Sequence, residues 1–195
     1  MLGKLNVGRN HSASTVREAV GIFFDSEHLH EAVDELVSSD FDFADLGLLA
    51  GQYTVKQRLG DFYNQINESA DSADGPSTAF VADKSMGDTV HAFLGTLFFV
   101  GTTAASGAVV ASAAVLGGSL LPAVAGAAAL GAIGGALSLI INQSDAEHLE
   151  EQVDEGHLLL FVRTQDHKEE AKAVEILSKH GAYEAKVYEA PAATP

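Results

Sequence analysis

The chain has 195 residues, 27 acidic side chains against 11 basic ones and a formal net charge of −16, enough for one ordinary domain or a small domain with a membrane element. That charge excludes a nucleic-acid-binding face, which needs a basic surface, and electrostatic docking on anionic lipid, which needs clustered Lys and Arg. With no cysteine there is no disulfide framework, thiolate nucleophile or cysteine-ligated metal centre, which fits a reducing compartment.

The first thirteen residues are polar and Gly-containing and read as a flexible arm. Lys4 and Arg9 are followed by no apolar core of the kind a secretory signal carries. In "REAVGIFFD" the run Val20, Ile22, Phe23 and Phe24 predicts a short strand. Ser26 is a candidate N-cap for "SEHLHEAVDELVSS", where Leu29, Ala32, Val33 and Leu36 stand at helical spacing. "LGLLAG" is a second strand, so residues 14–51 read β-α-β. Residues 52–88 are polar and predict a helix and loop, with "ADSADGPS" as the plainest flexible stretch.

From 89 to 144 there is no Asp, Glu, Lys or Arg. "GGSLLP" divides this run into two stretches, about 90–116 and 121–142, each long enough for a membrane helix of roughly 20 residues. Small residues recur every four positions: Gly101, Ala105, Ala113 and Gly117 on the first stretch, and Ala123, Ala127, Gly131 and Gly135 on the second. Such stripes let helix backbones approach closely, and we take Gly101, Ala105, Gly117, Ala127, Gly131 and Gly135 as the self-association residues of a helical hairpin over 89–143. Leu130, Ile133, Leu137, Ile140 and Ile141 would then face lipid or another subunit. The bland alternative is a glycine-zipper hairpin buried inside an oligomer, since Ala and Gly are only weakly apolar.

The remaining 144–190 repeats the earlier grammar. "SDAEHLEEQVDEG" is an acidic helix capped by Ser144 or Asp145, and "HLLLFVRT" a nearly continuous apolar strand. "DHKEEAKAVEILSKHG" is a helix stopped by Gly181, and "YEAKVYEA" a final strand. Residues 191–195 are a tail. Two β-α-β units predict an α+β, ferredoxin-like split sandwich, four antiparallel strands with two helices on one face, and the hydrophobic hairpin inserted between the halves.

Chemistry is sparse. His148 and Glu151 stand at i, i+3, a spacing that metal sites use, and are the best metal pair on offer. His148 and His157 flank the acidic helix, and His167 and His180 bracket the last one. Solvated helix ends are the plainer reading of all four, so no metal is expected. "GAIGGALS" lacks the lysine of a phosphate loop, and the serines lack a nucleophile-elbow context. No catalytic residue, cofactor or enzyme activity is expected.

The stretch "DAEHLEEQVDEGHLLLFVRTQDHKEEAKAVEILSKHGAYEAKVY" resembles the C-terminal part of a family of small bacterial heat-induced or general stress proteins. The matching positions are Glu147, His148, Glu151, Val153, Gly156, Leu159, Leu160, Val162, Ile176, Leu177, His180, Gly181 and Ala182. "AVGIFFDSEHLHEAVDELVSSDF" is similar to the family's opening strand and helix, and a Gly/Ala-rich middle is typical of it. The resemblance implies a stress-linked, non-enzymatic, membrane-associated protein. The expected partners are therefore a lipid bilayer and further copies of the chain, with no nucleic acid, and the α/β domain is expected on the cytoplasmic side. A homo-oligomeric scaffold and a pore-forming or permeability protein are the alternatives.

Overall fold

The computed structural model describes residues 15–42, 45–59, 63–66, 79–82, 96–103, 107–112, 137–138 and 141–191. Its elements run β1 (Thr15–Phe23), α1 (Ser26–Ser38), β2 (Leu46–Gly51), α2 (Gln52–Arg58), β3 (Tyr63–Ile66), β4 (Ala79–Ala82), β5 (Thr96–Thr103) and β6 (Gly107–Ser112). α3 (Gln143–Asp154), β7 (Leu158–Thr164), α4 (His167–Lys179) and β8 (Glu184–Pro191) complete the chain. The molecule is mixed α+β, with one antiparallel sheet in the order β3-β4-β5-β6-β2-β7-β1-β8.

The four strands read from the sequence as a sheet are consecutive: β2-β7-β1-β8. Strand alternation sends their side chains to two faces. One face carries Ala19, Phe23, Leu46, Leu48, Leu158, Leu160 and Val162 into a single apolar cluster with Leu29, Ala32, Val33 and Leu36 of α1 and Ala173, Ile176 and Leu177 of α4. Each fully buried Leu, Val or Phe contributes about 1.5–3 kcal/mol, so this cluster is the main stabilising feature. Gly21 leaves room for α4 here, since a Cβ would stand 2.8 Å from Leu177 Cδ2 and 3.0 Å from Phe23 Cε2 and these side chains would have to shift. The opposite face carries Val20, Ile22, Leu159 and Phe161, all buried. α3 lies on it, because Lys186 and Glu184 share that face with Val20 and Ile22 in register and bond Asp145 and His148 of α3.

The helix ends follow elementary capping chemistry. Asp25, not Ser26, caps α1, its Oδ1 accepting from His28 N–H at 2.9 Å. Asn142, not Ser144 or Asp145, caps α3 through Asp145 N–H, also at 2.9 Å. In both cases the cap lies one or more residues before the expected one, because the amphipathic pattern marks the buried face and not the first turn. Asp166 caps α4 by accepting from Lys168 and Glu169. Gly156 (φ 82°) and Gly181 (φ 77°) follow α3 and α4 in the left-handed conformation that terminates helices.

Two expectations are corrected. The insert 52–88 does hold a helix, α2, but its described remainder is strand, β3 and β4, rather than loop. The helical hairpin expected over 89–143 does not hold in its described first half, where β5 and β6 pair with each other and β6 pairs with β2. Phe98, Phe99, Val100, Thr102, Thr103, Val109 and Val110 are β-branched or aromatic, types that fit a pleated surface and lose rotamer freedom in a helix. Gly101, expected on a helical stripe, instead sits at a register irregularity between Phe99 and Gly101 and pairs with Val109. Of the second half, Leu137 and Ile141 are buried within the chain rather than exposed on its surface. The other proposed self-association residues, Ala105, Gly117, Ala127, Gly131 and Gly135, lie outside the described residues, as do the arm 1–13 and the end of the tail. Among the described residues no helix is long and apolar enough to cross a membrane.

Candidate binding cleft

Where β1 leaves the sheet, the turn after α3 enters β7 and the loop before β8 returns, three chain segments meet at one end of the domain. Phe24 follows the last residue of β1. Tyr183 precedes β8 and is held by its N–H donating to Ile22 C=O at 2.8 Å. His157 stands between Gly156 and the start of β7. Their rings touch: Phe24 lies edge-on to His157 with centroids 4.5 Å apart and tilted against Tyr183 at 5.1 Å.

Together with His148, Glu151, Gln152, Glu155 and Glu184 these side chains line an open cleft of about 440 Å³. His148 Nε2 bonds Glu184 Oε2 at 2.9 Å, tying α3 to β8. Gln152 Oε1 accepts from His157 Nδ1–H at 3.0 Å, and Glu155 stands 3.6 Å from the same nitrogen. Burial pushes the His157 imidazole below its ordinary value, the Glu155 charge opposing and the Arg58 charge assisting. Burial thus favours the neutral ring, and with Nδ1 donating to Gln152 its acceptor nitrogen is Nε2.

The sequence-singled pair His148 and Glu151 does meet in this cleft. His148, however, is partnered by Glu184 rather than Glu151, and among the described residues no group of three or more His, Asp or Glu side chains is placed to hold a metal ion. His157 joins the same wall. The other two bracketing histidines go elsewhere. His167 bonds Glu170 at 2.8 Å, where Glu170 also takes the Arg17 guanidinium, while His180 joins α4 to α1 through Glu35 at 2.5 Å. Phe24 and Tyr183 were not legible as site residues. A lone aromatic at a loop carries no periodic signal, and only the strand order brings these two together. Among the described residues the cleft presents two aromatic rings, the Tyr183 hydroxyl, the Gln152 amide, two imidazoles and three carboxylates.

A second hollow, of about 210 Å³, lies between the turn after α1 and the start of α4. Its groups are engaged internally: Asp166 caps α4, and Lys172 Nζ donates to Ser39 C=O at 2.6 Å.

No family model matches the chain, and no curated protein and no solved structure is significantly similar to it.

Proposed function

We propose that this chain is a non-enzymatic structural or regulatory protein that self-associates through its uncharged middle, with an α+β domain of ferredoxin-like strand order. The order β2-β7-β1-β8, with α1 and α4 on one face, supports that fold reading. The single observation that carries the functional one is where the uncharged run meets the domain. β6 hydrogen-bonds along β2, and Leu137 and Ile141 return to the interior before α3. Only residues 113–136, about two dozen, lie between these anchors. Two membrane spans need about 40, so the length favours association with other copies over a bilayer-crossing hairpin. A stress-linked role rests on the family resemblance alone, carried by residues 145–188, by 19–41 and by the Gly/Ala-rich middle.

The test is the assembly state of the purified full chain and of Gly131→Leu and Gly135→Leu, measured by light scattering. The wild type is expected as a defined oligomer, and both variants are expected to shift toward monomer with an unchanged circular dichroism spectrum. Wild-type assembly retained in both variants, or a monomeric wild type, overturns the proposal. Recovery of the chain only with detergent-extracted membranes would return the lipid bilayer as its partner.

A further inference from the structure

Among the described residues the exposed large hydrophobic side chains are Phe24 (43% exposed), Tyr53 and Tyr183 (65%). Two of the three stand in contact on the wall of one cleft. Every polar group that lines that cleft, the two histidines aside, is a carboxylate, an amide or the Tyr183 hydroxyl, and no Lys or Arg is among them. The histidines do not reverse this. His148 is spent on Glu184, and His157, buried and donating from Nδ1 to Gln152, has in its neutral form Nε2 as its acceptor nitrogen. The cleft is thus a concave set of acceptors around two π-faces, which attract a cation within about 6 Å of a ring centroid.

We infer that this cleft seats an arginine or lysine side chain from a basic segment of a partner protein. A flat guanidinium has donors for Glu151, Glu184 and His157 Nε2 together and a face for Phe24 or Tyr183, and an ammonium satisfies the same groups less completely. The charge beyond the cleft argues for a polypeptide rather than a small amine. Beyond the cleft's own Glu151 and Glu155, α3 carries exposed Glu147 and half-buried Glu150 and Asp154, carboxylates that match several basic residues in a row and steer their approach. The uncharged middle takes no part, so this inference stands whether or not the self-association reading does.

The test uses the full-length protein and a fluorescein-labelled peptide of alternating arginine and glycine, followed by fluorescence anisotropy. Binding is expected to weaken as salt rises. The double variant Phe24→Ser/Tyr183→Ser changes no charge and should weaken binding about 10-fold, the scale of a desolvated cation–π contact. Glu175→Gln, exposed on α4 across the sheet from the cleft, should weaken it far less. Replacing each arginine by the neutral isostere citrulline should abolish binding. In parallel, amide and ring resonances of Phe24, His157 and Tyr183 in the unaltered protein should shift with added peptide, a readout independent of variant folding. Equal binding by the serine double variant, absence of shifts at these three residues, or competition by spermidine at the concentration at which the peptide itself competes would overturn the inference.

Discussion

Gly21 is where one missing side chain decides how closely helix and sheet approach. A Cβ there meets Leu177 and Phe23 inside the main apolar cluster. Gly21→Val should therefore cost about 1–3 kcal/mol by overpacking, read from urea denaturation. A stability equal to wild type would mean that α4 rides farther from β1. Left-handed positions give a paired test. Gly181→Ala places a Cβ at φ 77° and should cost about 1–2 kcal/mol. Asp40, an exposed non-glycine residue also at φ 77°, should gain stability or stay level as Asp40→Gly. Destabilisation in both would contradict the backbone assignment. Caps extend the same reasoning to pH. The N–H of Glu169, helped by that of Lys168, holds the Asp166 carboxyl below its ordinary range against the opposing effect of desolvation. A depressed carboxylate stabilises fully above its unfolded value, about 3.9, and that stability is lost as pH falls through the folded one. Asp166→Ala should thus lower Tm at pH 7 and converge on wild type in strong acid, whereas Asp166→Asn should keep most of the cap without the acid dependence. A deficit of Asp166→Ala that is the same at both pH values would remove Asp166 from the account.

At the scale of elements, what was legible followed two patterns. The strands β1, β2 and β7, buried on both faces, were legible as short apolar runs between turn and cap signals. The helices α1, α3 and α4 and the alternating strand β8 announced themselves by a buried face set against a polar one, as Leu29, Ala32, Val33 and Leu36 show for α1. The uncharged run lacks that contrast. With no charged residue to mark a solvent face, helical and strand periods fit it equally well, and its small-residue stripe favoured a helix. The edge of β2 tips the balance, because its backbone groups need partners and β6 supplies them. The register pairs Ala50 with Val110, and antiparallel partners stand about 4.5–5.5 Å apart at Cα, within reach of a disulfide. Since the chain has no cysteine, Ala50→Cys/Val110→Cys should cross-link under mild oxidation and migrate faster on a non-reducing gel. The offset pair Ala50→Cys/Ala111→Cys should cross-link poorly. Equal yields from the two, or none from the first, would dissolve the β2–β6 pairing.

At the scale of the whole molecule, charge and hydropathy are segregated along the chain. The net charge of −16 belongs to segments on either side of a run that has none, and the fold roots both ends of that run in one domain. The cleft was half visible from the sequence: His148 and Glu151 were singled out by spacing, but their neighbours Phe24, His157 and Tyr183 come from three separate segments that only the topology unites. The central claim is that the uncharged middle belongs to a self-associating protein and not to a pair of membrane helices. Its most direct test is the mass of the full-length chain purified without detergent, together with its partition after alkaline carbonate extraction of the expressing cells. The account predicts a discrete multiple of 20.3 kDa and release into the supernatant. A 20.3 kDa monomer, or a chain retained in the carbonate pellet and recovered only with detergent, would contradict it.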